Sequence, residues 1–79
     1  MRKVIDIIET VEDYPIRDTR YVVGKVEDNQ YFFAWGWEYS YADELPEQED
    51  NDGENGFSYF DTKEIALSAM KEAVEARQM

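Results

Sequence analysis

The sequence predicts an α+β domain, a small antiparallel sheet of three or four strands with one C-terminal helix packed on one face. Three observations predict it. Tyr31, Phe33, Trp35, Trp37, Tyr39 and Tyr41 occupy every second position of one run, and period two is the period of a strand. Asp28-Asn29 separates two apolar runs where a two-residue hairpin turn belongs, since both residue types tolerate positive φ. Beyond Asp61, the residues Ile65, Ala66, Ala69, Met70, Ala73 and Val74 recur at helical spacing.

Taken in order, Lys3 to Val11 satisfies two patterns. Val4, Ile5, Ile8 and Val11 fit a helical stripe, whereas Ile5, Ile7 and Val11 fit strand alternation, and the β-branched isoleucines favour the strand. Tyr14-Pro15 ends the pattern, and Asp13 to Thr19 reads as a connection. Arg20 to Glu27 is the first arm of the hairpin. A two-residue turn sets Val26 opposite Tyr31, Gly24 opposite Phe33, Val22 opposite Trp35 and Arg20 opposite Trp37. Tyr21 and Val23 then face Gly36 and Ala34, so that each glycine lies across from an aromatic ring. Tyr39 and Tyr41 continue past Asp18 and Ile16, where the partner strand gives out.

Leu45-Pro46 and Asn51-Asp52-Gly53 mark an acidic loop at 42–56, and Phe57 to Phe60 is a short strand. Asp61-Thr62-Lys63-Glu64 has the form of a capping box, with the Asp61 carboxylate accepting the Glu64 amide. The helix from 62 to about 77 carries small alanines that permit close approach, which places Phe33 and Trp35 beneath it. A face with Tyr21, Val23 and Phe32 stays uncovered and leaves homodimerisation open.

Composition narrows the chemistry. The chain of 79 residues is a single domain, 1–79, with neither Cys nor His. Disulfides, thiol catalysis and imidazole bases are therefore excluded, and the usual zinc ligands are missing. A domain this small buries only about 60% of its unfolded surface, so packing of its Trp, Tyr and Phe rings must hold it. No apolar run approaches the ~20 residues of a spanning helix, and the expectation is a soluble, cytoplasmic protein. No cofactor or metal is expected. With Gly53 at the sixth position of a calcium loop, Gln48 and Tyr59 fall where Asp and Glu are required. Ser40, Ser58 and Ser68 have no His to activate them, no glycine-rich phosphate loop exists, and the carboxylates lie in a polar segment. The chain is read as a binding protein, not an enzyme.

Net charge is −11, and its excess is local: Asp43 to Glu54 holds seven carboxylates and no base. The remainder carries twelve acids against eight bases. Such a field repels phosphate, which disfavours direct nucleic-acid binding, and draws in basic surfaces. The candidate partner-binding residues are Trp37, Tyr39 and Tyr41 as aromatic anchors, with Asp43, Glu44, Glu47, Glu49, Asp50, Asp52 and Glu54 as a charged rim. The plainer alternatives are loop packing for the rings and a solvated, mobile, solubilising loop for the acids. Phosphate mimicry is a further reading. The loop offers one charge per ~6 Å against 3.4 Å along a DNA strand, so it would need help from Glu12, Asp13, Asp18 and Glu38.

In size, acidity, absence of Cys and compact sheet-plus-helix layout, the whole chain resembles the small inhibitors encoded by bacteriophages, including anti-CRISPR and anti-restriction proteins. The likeness rests on no motif, so it transfers no functional residue. It implies a protein that occupies a basic, nucleic-acid-binding surface of a host enzyme or effector complex in the host cytoplasm and blocks access to it, as a DNA mimic in one reading. An immunity protein or antitoxin against a basic nuclease toxin uses the same physics, and a non-inhibitory interaction module is the third reading.

Overall fold

The computed structural model of the chain describes residues 1–13 and 19–77. The expected connection from Asp13 to Thr19 is shortened, since Asp13 ends the first strand and Thr19 begins the second; its middle, with Ile16 and Asp18 placed against Tyr41 and Tyr39, lies outside the described residues.

Strand β1 (Arg2–Asp13) resolves the first ambiguity in favour of the strand. It pairs antiparallel with β2 (Thr19–Val26), and the register slips twice, between Val4 and Asp6 and between Ile7 and Glu9. Each slip is a bulge that gives β1 one extra residue and bends it. A turn at Glu27–Asn29 leads into β3 (Gln30–Trp35). Asp28 and Asn29 take φ of 74° and 61°, as their side chains favour.

The turn spans three residues instead of two, which moves the hairpin register by one. Val22 lies opposite Ala34, Val23 opposite Phe33, Gly24 opposite Phe32 and Tyr21 opposite Trp35. The pairing of glycines with rings survives with new partners. A Cβ on Gly24 would come within 2.7 Å of the Phe32 ring, and one on Gly56 would run into the Trp35 indole. Because a one-residue slip exchanges faces, Tyr21 and Val23 join Phe33 and Trp35, while Phe32 turns to the other side. Neither face is bare, which corrects the expectation of an uncovered one.

The aromatic run is not one long strand. It ends at Trp35, because Gly36 adopts φ 84° and starts a single helical turn, α1 (Trp37–Ser40). The acidic segment then supplies two further strands, β4 (Glu44–Leu45) and β5 (Asp50–Asn51), before β6 (Gly56–Phe60) and the helix α2 (Lys63–Arg77). The sheet therefore has six strands, not three or four, in the order β4-β1-β2-β3-β6-β5. All pairings are antiparallel. The two extra strands are two residues each and owe their existence to partners far away in sequence.

Strands β4 and β5 lie at opposite ends of that order, yet only Pro46 to Glu49 separates them. The connection can span at most about 18 Å. Six strands laid flat would be roughly 24 Å across from first axis to last. The sheet must curl, and it forms a half-barrel whose two edges are joined by the acidic segment, hereafter the strap.

Each face has its own core. Val22, Val26, Phe32, Ala34, Leu45 and Phe57 are buried beneath the strap, with Tyr39 and Tyr59 packed against them. Tyr21, Val23 and Phe33 are buried beneath Ala66 and Met70 of α2, with Trp35, Leu67 and Val74 around them. The helix thus covers Phe33 and Trp35 as expected, but its stripe is rotated. Ile65 is 53% exposed, and Leu67 packs in its place. Its cap also differs: the Thr62 hydroxyl accepts the Ile65 amide at 3.2 Å, while Asp61 accepts the Gln30 side-chain amide at 3.5 Å. Either Asp or Thr can cap; here Asp61 faces β3. Among the described residues no helix is long and apolar enough to cross a membrane.

Candidate binding surface

Gly36 determines where the three candidate aromatic anchors point. Its amide donates to the Arg20 carbonyl at 3.0 Å, and its carbonyl accepts the Ser40 amide at 3.0 Å. The Asn55 side-chain oxygen accepts the Glu38 amide at 2.9 Å, tying the turn to the far strand. On such a turn, residues four apart share a side. Trp37 and Tyr41 accordingly stack, with ring centroids 5.3 Å apart and planes 10° from parallel. They are 46% and 56% exposed. Arg20 completes the assembly: its guanidinium lies 3.9 Å over the Tyr41 ring and donates to the Ser40 carbonyl at 2.8 Å. Its Nε is 3.7 Å from the Glu12 carboxylate.

Tyr39 points the other way and is not part of that surface. Its ring packs edge-on against Phe57 at 4.9 Å. Its hydroxyl donates to Asp50 at 2.6 Å. That hydrogen bond, aided by burial and by the negative charge around it, pushes the phenol pKa up to about 12. Of the three anchors read from the sequence, Trp37 and Tyr41 form a surface, and Tyr39 fastens the strap.

The strap is built, not loose. Leu45 is fully buried and pins it to the core. Residues Leu45 and Glu44 pair with Arg2 and Lys3 of β1. Arg2 donates to Glu47 at 3.0 Å and lies 4.4 Å over the Tyr59 ring. The hydrogen bond from Arg2 holds the Glu47 carboxyl below the usual carboxylate range. Tyr59 donates through its hydroxyl to the Pro46 carbonyl at 2.6 Å and through its amide to Glu49 at 3.3 Å. At the tip, Asp52 accepts the amides of Glu54 and Asn55 at 3.0 and 2.7 Å, and Asn51 accepts that of Gly53 at 2.9 Å. These are the local side-chain bonds that Asp and Asn make in turns.

Among the described residues, Glu47 is the one strap carboxylate in an ion pair. The other six are exposed and carry uncompensated charge on a fixed backbone. Asp43 follows Tyr41 by two residues. It borders, with Tyr41, Arg20, Ile5 and Ile7, a groove of about 470 Å³ between β1 and α1. Ile5 and Ile7 are 55% and 47% exposed. Sequence reasoning passed over these isoleucines and Arg20. The signal was present for the first two, which alternate on a strand without a stated apolar partner. Glu44, Glu47 and Glu49 follow the strap away, and its far end returns to the turn, where Asp50 accepts the Tyr39 hydroxyl and the Glu54 carbonyl lies against Gly36.

No protein-family model, curated protein or solved structure matches this chain. Its surface is therefore read from its own chemistry.

Proposed function

We propose that this is a small acidic binding protein that occupies a basic, nucleic-acid-binding surface of a target enzyme or effector complex, as the phage-encoded inhibitors it resembles do. The observation that carries the reading is the half-exposed Trp37–Tyr41 stack beside a structured strap with six uncompensated carboxylates. Aromatic rings of this type are the anchors of protein interfaces, and an arginine of a nucleic-acid-binding surface has the planar cation that stacks on them. The carboxylates supply long-range attraction, which raises the rate of encounter and selects against acidic partners. Because hydrogen bonds hold the strap, little ordering entropy is lost when a partner settles on it. Such a protein acts stoichiometrically, without turnover, and in the cytoplasm where its targets work.

Affinity purification from a bacterial lysate tests the reading, with wild-type protein beside Trp37→Ala and Tyr41→Ala. Recovery of a basic nucleic-acid enzyme or effector complex by the wild type, lost in both variants, is the expected result. A single nuclease toxin as the captured protein would make the chain an immunity protein. Captured proteins that lack basic nucleic-acid binders, or that both variants retain, would remove the proposal.

A further inference from the structure

We infer that the outer edge of β1 takes up an extended, basic segment of a partner protein as an additional strand. The inference goes beyond the Trp37–Tyr41 surface and shares with it the premise that the partner is basic and the Tyr41 ring at one groove. Strand β4 covers β1 at Arg2 and Lys3, and the Asp43 carbonyl accepts the Val4 amide at 2.9 Å. From Ile5 onward, β1 has no strand partner on that side among the described residues. Its stretch from Glu9 to Asp13 runs in unbroken register with β2, so its backbone is regular where it is open. An open, regular edge offers a row of amides and carbonyls to an incoming strand.

Side-chain space exists on both faces of that edge, as an added strand with alternating side chains requires. On the helix side, Val11, Leu67, Met70 and Val74 line an apolar groove of about 380 Å³, with Glu9 on its wall. On the strap side lies the groove with Ile7 and Tyr41. The acids Asp6, Glu9 and Glu12 are exposed along the same edge. They decide the occupant. Two copies of this chain pairing antiparallel through Glu9 would set Glu9 directly against itself, and like charges directly opposite repel. The bulges at the start of β1 further discourage pairing between copies. A strand with apolar residues for the grooves and lysines or arginines for the acids meets no such penalty.

The test uses an eight-residue peptide of alternating Val and Lys with blocked ends. Its controls are the Val/Glu counterpart and a Val/Lys peptide with a central Pro, which cannot complete a strand ladder. Backbone amide exchange of the full chain is followed residue by residue. Saturating Val/Lys peptide is expected to slow exchange at least tenfold at alternate residues between Glu9 and Asp13, whereas both controls leave it unchanged. The Asp6→Lys, Glu9→Lys double variant is expected to weaken the peptide at least tenfold, and Trp37→Ala to bind it normally. No protection at millimolar peptide overturns the inference, as does equal protection by the Pro peptide. Protection that grows with protein concentration in the absence of peptide would show the occupant to be a second copy, and overturns it too.

Discussion

The Tyr39 hydroxyl and the Asp50 carboxylate meet at 2.6 Å, and this bond fastens the aromatic turn to the strap. Tyr39→Phe removes it and should lower stability by about 1 kcal/mol in urea unfolding. The bond also has a pH signature. The folded phenol titrates at about 12, above its ordinary value near 10. The native state therefore holds this proton more tightly, and its stabilising contribution is intact below pH 10 and lost as pH rises through 12. Absorbance titration should show one fewer late tyrosine in Tyr39→Phe than in the wild type, since burial also raises Tyr59.

Trp35 and Trp37 stand two residues apart and should respond in opposite ways. Trp35 lies against Phe33 at 5.1 Å and over Gly56. Trp35→Ala is expected to cost about 3 kcal/mol or more of stability. Trp37 is 46% exposed and rests on Tyr41. Trp37→Ala should cost about 2 kcal/mol in partner binding and less than that in stability. Equal losses of melting temperature in the two variants would contradict the assignment.

Gly36→Ala is expected to destabilise by more than about 2 kcal/mol. The position combines φ 84° with ψ 162°, a region open to glycine alone. A Cβ there would also strike the Asn55 side chain and the Glu54 carbonyl. Thermal unfolding gives the cost, and near-ultraviolet circular dichroism should show the Trp37–Tyr41 stack disturbed.

Arg2→Ala should raise the Glu47 carboxyl toward the ordinary carboxylate range, with the amino terminus still lowering it, read by its NMR titration. The sign is that of a lowered pKa: the interaction contributes above the unfolded value and fades as pH falls through the folded one. Glu47 faces water, whereas Arg2 is only 23% exposed and packs over the Tyr59 ring, so the loss of melting temperature should come from packing more than from the ion pair. An unmoved Glu47 titration would mean that the pair does not persist in solution.

The turn at Asp28-Asn29 was legible in the sequence because positive φ is written in those side chains. Its length was not, since two- and three-residue turns both use such residues, and the register hung on that difference. Trp37 and Tyr41 illustrate a deeper ambiguity. A spacing of four puts two residues on one side of a strand and on one side of a helical turn alike, so the period-two row continued past the point where Gly36 ended the strand. Tyr39 is the residue that separates the two, pointing with them in a strand and away in a helix. Strands β4 and β5 carry no period at all, because two residues cannot show one.

The strap that closes the half-barrel also carries six of the protein's uncompensated charges, and this couples folding and recognition to ionic strength with opposite signs. Closing the sheet gathers carboxylates that an open chain would hold apart, so their mutual repulsion opposes folding. Added salt screens that repulsion, with a Debye length falling from roughly 30 Å at 10 mM to about 8 Å at 150 mM. The same screening weakens attraction to a basic partner. As sodium chloride rises, the melting temperature should climb while the association rate falls. On the proposed reading, the protein is held together least firmly in the dilute buffer where a basic partner would be captured fastest.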